Sequence, residues 1–300
     1  MEFADCLASV LVSDGGLATE LEVRGHDLSD ALWSARLLMD APGEIRAAHD
    51  AFFRAGAALA TTATYQASYD GFARRGVGRA ETTRLLRRGV DLARSARAEA
   101  SGDGRPRWVA ASVGPYGAAR ADGSEYRGRY GLSVAALRDW HRPRLEVLAE
   151  TAPDVLALET IPDIDEAAAL TELVRGTGTP AWLSYSITGD RTCAGQPLTE
   201  AFAVAAGVPE IVAVGVNCCA PADVLPAVIT ARRVTGKPVI AYPNSGERWD
   251  PRRRAWTGSP GLPTDLPGRW VTAGAQIVGG CCRVTPADIA GIAGIATRTG

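Results

Sequence analysis

The chain has 300 residues, of which 46% are hydrophobic, and a formal net charge of −2. That length and apolar content can bury a large core, as one α/β barrel or two ordinary domains. The near-neutral charge and the lack of a long basic run argue against nucleic acid or an anionic membrane as partner. No apolar stretch approaches the ~18 residues of a membrane span. The opening residues carry Glu2 and Asp5 with no early lysine or arginine, unlike a secretory leader. The expected location is the cytoplasm, where cysteines stay reduced and serve metal or catalytic roles more than disulfides.

Short apolar, β-leaning runs alternate with amphipathic stretches. In chain order the runs are VLVSDGG (10–16), ALATTATYQ (58–66), RWVAASVGP (107–115) and DVLALET (154–160), then AWLSYSIT (181–188), EIVAVGVNCC (210–219), KPVIAYPNSG (237–246) and AQIVGGCC (275–282). Between the first two, GEIRAAHDAFFRAGA repeats apolar residues at helical spacing through Ile45, Phe52 and Phe53. ETTRLLRRGVDLARSARAEA sets Leu85, Leu86, Val90 and Ala93 on one face. The last helix opens with Thr285 as N-cap, Pro286 in the first turn and Asp288 against the dipole. Strict alternation implies a parallel sheet with right-handed crossovers. Eight such units predict a single α/β domain over residues 1–300, a closed (β/α)8 barrel of the TIM type. An open doubly wound sheet fits less well. Asp14-Gly15-Gly16 is not GxGxxG, and there is no Walker sequence.

In a barrel, chemistry gathers where strands end and the following loops begin. Those positions hold Asp14-Gly15-Gly16, then Thr64, Tyr65 and Gln66, then Gly114, Pro115 and Tyr116. Further on they hold Glu159-Thr160, Asn217-Cys218, Asn244 and Cys281-Cys282. Closure brings the sixth and eighth strands to one rim, where three thiolates can converge on a metal. Soft sulfur ligands select zinc, and three protein ligands leave a fourth position open. Successive strand residues face opposite ways, so Cys281 and Cys282 reach one ion only if the backbone curls, which Gly279 and Gly280 permit. By the same alternation Cys218 points inward and Cys219 packs. The alternatives are buried cysteines that only pack, or a redox pair at Cys281-Cys282.

Asp14 has a bland reading as a turn cap before glycine. Glu159 ends a buried strand and needs a cationic partner or a ligand. His26, His49 and His141 all lie away from strand ends, which weighs against a histidine-based hydrolase. The glycine-rich, polar segment 116–133 reads as a lid over the rim.

The stretches DGGLATELEVRGHDLSDALWSARLL, GPYGAARADGSEYRGRYG, ALETIPDIDEA, GVNCC and VGGCC together resemble the zinc-dependent homocysteine S-methyltransferases, nearest the branch that uses S-methylmethionine. The resemblance runs from Asp14 to about Asp288. It implies a (β/α)8 barrel with one zinc ion per chain, held by Cys218, Cys281 and Cys282. It also implies that Asp14, Gly15 and Glu159 contact homocysteine, and that Asn217, the family's asparagine before the cysteine, is a substrate-binding residue with them. The implied reaction moves a methyl group from S-methylmethionine or S-adenosylmethionine to L-homocysteine, giving methionine. Tyr65 or Tyr116 would face the cationic donor. Where the family's lid motif has an acidic residue, this chain has Arg129. Cys193 and the arginine run 252–254 carry no role in the family pattern.

Overall fold

A computed structural model describes residues 3–250, 255–258 and 261–299, so the arginine run 252–254 lies outside the described residues. Each apolar run contains one barrel strand. These are β1 (Leu11–Val12), β2 (Leu59–Thr61), β3 (Trp108–Val113), β4 (Val155–Ile161), β5 (Ala181–Tyr185), β6 (Ile211–Asn217), β7 (Val239–Tyr242) and β8 (Ala275–Val278). β3, β4 and β5 are buried at every position, as parallel strands covered on both faces must be. All neighbours pair in parallel, in the order β1-β8-β7-β6-β5-β4-β3-β2. A bridge between Ser13 and Leu59 joins β1 to β2. Bonds from Ala58 N to Val12 O (2.7 Å) and from Asp14 N to Leu59 O (3.0 Å) flank it and close the ring. The expected (β/α)8 barrel is therefore the observed one.

The outer ring consists of α1 (Pro42–Arg54), α2 (Arg79–Ala100), α3 (Val134–Glu150), α4 (Ile164–Val174), α5 (Leu198–Ala203), α6 (Pro221–Thr235), α7 (Leu266–Ala273) and α8 (Pro286–Thr299). α2 buries Leu85, Leu86, Val90 and Ala93, the face that the spacing predicts, and adds Thr82, Gly89 and Ala96. Full burial of each aliphatic side chain contributes roughly 1.5–3 kcal/mol. At the start of α8, Asp288 Oδ2 accepts from Thr285 N (2.8 Å) and Thr285 Oγ1 (2.7 Å), so Thr285 is held at the predicted helix start.

Two apolar layers fix the barrel. Inside it, Leu11, Leu59, Ala110, Val155, Trp182, Ala213, Ile240 and Ile277 pack together. Phe3 and Cys6 of a short N-terminal helix join them, with Phe3 edge-on to Trp108 at the amino end of β3. That end is plugged, so an opening to solvent is left at the carboxyl rim. Two short hairpins lie beyond β5 and β7: Ile187–Thr188 with Arg191–Thr192, and Arg248–Asp250 with Ala255–Thr257. The run 181–188 thus combines a barrel strand with the first arm of a hairpin, which alternation in the sequence does not separate.

Candidate metal centre and substrate pocket

Cys218 follows the last residue of β6 and adopts φ +52°, a left-handed conformation strained for a residue with a side chain. Cys281 and Cys282 do not curl out of β8; they stand beyond it, in the loop that leads to α8. The sharp turn falls at Arg283, with φ +65°, while Gly279 and Gly280 keep negative φ. The glycines are needed for close approach instead. A Cβ on Gly279 would meet Ser13 Cβ at 2.7 Å, and one on Gly280 would meet Val284 Cγ1 at 2.2 Å. Gly15 and Gly16 press from the other side, where a Cβ would meet Val284 O at 2.5 Å or Cys281 O at 2.7 Å.

Backbone bonds pin this loop between its neighbours. Gly280 N donates to Asp14 O (3.1 Å), Cys281 N to Pro243 O (2.7 Å), and Ser245 N to Cys282 O (3.1 Å). Cys282 N reaches Asn244 Oδ1 (3.2 Å), and Arg283 N reaches Thr19 Oγ1 (2.9 Å). The result is three sulfurs in one place. Cys218 Sγ lies 3.0 Å from that of Cys281 and 3.6 Å from that of Cys282, and the latter two are 4.0 Å apart. They are the group suited to hold a metal ion among the described residues. Hydrogen bonds from Cys281 and Cys282 hold the Cys218 thiol well below its usual pKa. As donors to that anion, Cys281 and Cys282 are pushed well up. The set thus gathers negative charge on sulfur at a point a soft cation fits. Cys219 faces away into the apolar core and is 3% exposed.

Asp14 and Glu159 are two buried carboxyls of the same rim, 2% and 6% exposed. Asp14 accepts from Thr61 N (2.7 Å), Thr61 Oγ1 (3.0 Å) and Ser13 Oγ (3.1 Å). Glu159 accepts from Ser112 Oγ and from Tyr242 OH (3.1 Å). Neither has an ion-pair partner among the described residues. Burial pushes Asp14 up to about 7. Burial, together with the charge of Asp14, pushes Glu159 up to about 8. Two uncompensated carboxyls at the mouth of a pocket suit an ammonium group. Asn217 has both polar atoms engaged inside the protein: Oδ1 accepts from Thr160 N (2.7 Å) and Ser184 Oγ (2.8 Å), and Nδ2 donates to Thr160 Oγ1 (2.7 Å).

The segment 116–133 is more ordered than a bare loop. It holds a helical turn, Tyr116–Arg120, and a 3-10 turn, Ser124–Tyr126. Tyr126 OH lies 3.3 Å from Cys218 Sγ, although the residue is 36% exposed overall. Tyr65 belongs to the pocket: its ring packs edge-on to Trp33, and Glu125, Cys218 and Glu159 act on its hydroxyl. Tyr116 turns toward Tyr130 and Trp140. Arg129 donates from its backbone to Asp163 Oδ2 (2.8 Å) and from Nε to Ala194 O (2.8 Å), stitching the segment to the next two loops. Cys193 lies beside that seam and is pushed up by burial.

Sequence reasoning missed Tyr126, because only tertiary closure brings it to Cys218. It also missed a buried cluster behind the rim. His141 Nε2 faces Glu166 Oε1 (2.8 Å), and His141 Nδ1 faces Arg144 Nη2 (3.0 Å). Arginine can only donate, so Nδ1 accepts and the ring proton sits on Nε2. Arg144 also reaches the carbonyls of Gly114 and Tyr65, and Glu166 Oε1 takes Tyr116 N (2.5 Å).

A closed barrel with three convergent thiols and two uncompensated carboxyls at its carboxyl rim is the architecture of a metal-dependent enzyme that acts on a small zwitterionic thiol. The comparisons with known proteins agree. The profile of the homocysteine S-methyltransferase family matches residues 11–296. Homocysteine S-methyltransferase 4 of Zea mays is 47% identical, over 94% of this chain and 88% of that one. Homocysteine S-methyltransferase of Escherichia coli is 45% identical, over 94% of each. The metallated form of the Escherichia coli homocysteine methyltransferase MmuM superposes with a TM-score of 0.87, at 42% identity, over 95% of this chain and 96% of that one. The chain belongs to the homocysteine S-methyltransferase family. Among its described residues, no helix is long and apolar enough to cross a membrane.

Proposed function

We propose that this protein transfers a methyl group from a sulfonium donor, S-methylmethionine or S-adenosylmethionine, to L-homocysteine, forming methionine. The observation that carries the reading is the trio of sulfurs 3.0, 3.6 and 4.0 Å apart beside Asp14 and Glu159. Those spacings bracket the ~3.8 Å edge of a tetrahedral zinc site built on Zn–S bonds of about 2.3 Å. The donor set supports one zinc per chain, held by Cys218, Cys281 and Cys282. When bound, zinc supplies a Lewis acid that keeps the homocysteine sulfur as a thiolate at neutral pH.

The chain's own residues do the rest. Asp14 and Glu159 accept hydrogen bonds from the homocysteine ammonium and fix the amino acid in the pocket. Gly15 lets the loop that carries Asp14 pack close, since a side chain there would strike Val284 and Phe52. Asn217 acts by holding Thr160, and through it the end of β4 that carries Glu159. The homocysteine sulfur forms a new bond to the donor methyl carbon as the carbon–sulfonium bond breaks. The electron pair of that bond leaves with the donor sulfur as a neutral thioether. No proton moves in this step, so no acid or base is needed at the sulfurs. Opposite charges cancel in the transition state, so a lid that excludes water favours it; segment 116–133 fills that place. A set of three reduced thiols also fits a cytoplasmic protein, and we read residues 1–300 as one homocysteine-binding barrel domain.

The test is methionine formation from homocysteine by zinc-loaded protein, run in parallel with S-methylmethionine, S-adenosylmethionine and betaine. Turnover is expected with the sulfonium donors and not with betaine. Protein that holds zinc and turns over none of the three would overturn the reading.

A further inference from the structure

Glu125 lies in the 3-10 turn Ser124–Tyr126, which the β3–α3 connection lays over the barrel mouth. Its neighbour Tyr126 sets the turn against Cys218. Beneath it, a Cβ on Gly117 would lie 2.4 Å from the Glu125 amide nitrogen, so backbone contact fixes the depth of the turn. Gln66 Nε2 adds a bond to Ala118 O (2.8 Å). The Glu125 side chain is therefore not what holds the lid down.

Other carboxylates of this rim are engaged. Asp122 takes Ser124 N (3.0 Å) and Arg120 Nε (3.1 Å). Asp163 takes Arg129 N (2.8 Å) and Gln196 Nε2 (2.7 Å). Glu125 differs: its Oε2 is buried and has no hydrogen-bond partner among the described residues. The charges acting on it are those of Cys218 and Asp122, both negative, and its own charge acts on Tyr65 and Tyr130. Burial pushes it up to about 7. Glu125 is half-buried overall, and a carboxylate with one buried, bare oxygen and no cation is costly unless a ligand supplies one.

We propose that Glu125 is the donor-binding residue that faces the sulfonium of the methyl donor, seated between Tyr65 and Cys218. The assignment rests on the methyl-transfer reading above. It gives that reading a discrimination: methyl transfer turns the sulfonium into a neutral thioether, so Glu125 attracts the donor and not the spent product. Tyr65 offers a π face to the same cation.

The test uses the zinc-loaded protein with Glu125→Gln, which keeps size and removes charge, and Glu125→Asp. Calorimetry with S-methylmethionine alone measures donor affinity without turnover. Glu125→Gln is expected to weaken it about ten- to a hundredfold, and Glu125→Asp less. The KM for S-methylmethionine should rise in step, while the homocysteine KM, the bound zinc and inhibition by methionine against the donor stay as in wild type. Unchanged donor affinity in Glu125→Gln would overturn the assignment. Equal weakening of S-methylmethionine and methionine would also overturn it, since that marks contact with the ammonium common to both. A wild type that binds S-methylmethionine through Glu125 yet forms no methionine would sink the methyl-transfer reading and leave this one standing.

Discussion

Asn217 grips Thr160 at two points, accepting its backbone N–H and donating to its hydroxyl, both at 2.7 Å. Thr160 has φ +59° and Cys218, next to Asn217, has φ +52°. Residues of these types in the left-handed region cost of order 1–3 kcal/mol each and persist only where their surroundings hold them. One amide thus ties the strand end bearing Glu159 to the strand end bearing Cys218, with Ser184 of β5 as a third anchor.

Asn217→Ala strands the Thr160 N–H in a buried site and takes from its hydroxyl oxygen the amide donor. It should lower stability by about 2 kcal/mol, read from the urea midpoint. Both bound zinc and homocysteine affinity should fall with it, because Cys218 and Glu159 lose their common brace. A variant of wild-type stability with only homocysteine affinity lowered would instead place Asn217 in direct contact with substrate, as the family pattern implies.

The two adjacent cysteine pairs make an internal control. Cys218→Ser or Cys281→Ser should take bound zinc from one per chain toward none and abolish methionine formation. Cys219→Ser should keep zinc and lose about 1–2 kcal/mol of stability, since its hydroxyl would enter an apolar core. Metal analysis of purified variants beside urea titration separates the cases. Full activity in Cys281→Ser would show that the ligand set is wrong.

The barrel was legible because its strands are short apolar runs alternating with amphipathic stretches, and because α2 repeats its apolar face for several turns. The cysteine trio was legible because strand ends of one sheet must share a rim. Its geometry was not. Alternation along a strand says nothing about Cys281 and Cys282, which lie past the last residue of β8. Gly279 and Gly280 read as a hinge, but they are contact points against Ser13 and Val284. Tyr126, Glu125 and the His141 cluster leave no periodic signal at all. Tyr126 and His141 meet Cys218 and Glu166 across 92 and 25 residues of chain, and Glu125 stands out only once folding has buried its Oε2.

The raised carboxyls predict a pH dependence in the substrate-free, metal-free protein. Glu159 has its pKa near 8 in the fold against an ordinary value of 4.5, and Asp14 near 7 against 3.8. The folded state therefore holds protons that the unfolded chain has released, and stability must fall as pH rises through that window. Their stabilising effect is complete below about pH 4 and lost by about pH 8. Urea midpoints across this range should decline in wild type and decline less in Glu159→Gln. Added homocysteine should reverse part of the loss at pH 8, because an ammonium favours the ionised carboxylates. Equal slopes in the two proteins would mean that Glu159 is ionised in the fold at neutral pH.

The His141–Arg144–Glu166 cluster supports the donor side of the rim from behind. Arg144 is 2% exposed, and its electrostatic support comes from Glu166, while burial draws its pKa down to about 10. Its guanidinium holds the carbonyls of Gly114 and Tyr65, the roots of the lid and of the second strand's loop. Glu166→Ala leaves this charge buried without its carboxylate, a change that typically costs about 3–5 kcal/mol. The roots should loosen, raising the KM for S-methylmethionine more than that for homocysteine. Zinc should stay bound, since none of the metal-binding cysteines bonds to the cluster. Glu166→Gln keeps an acceptor for Tyr116 N and His141, and should fall between wild type and Glu166→Ala in both stability and donor KM. Loss of zinc in parallel with stability would show that the damage spreads across the whole barrel mouth and is not confined to the donor side.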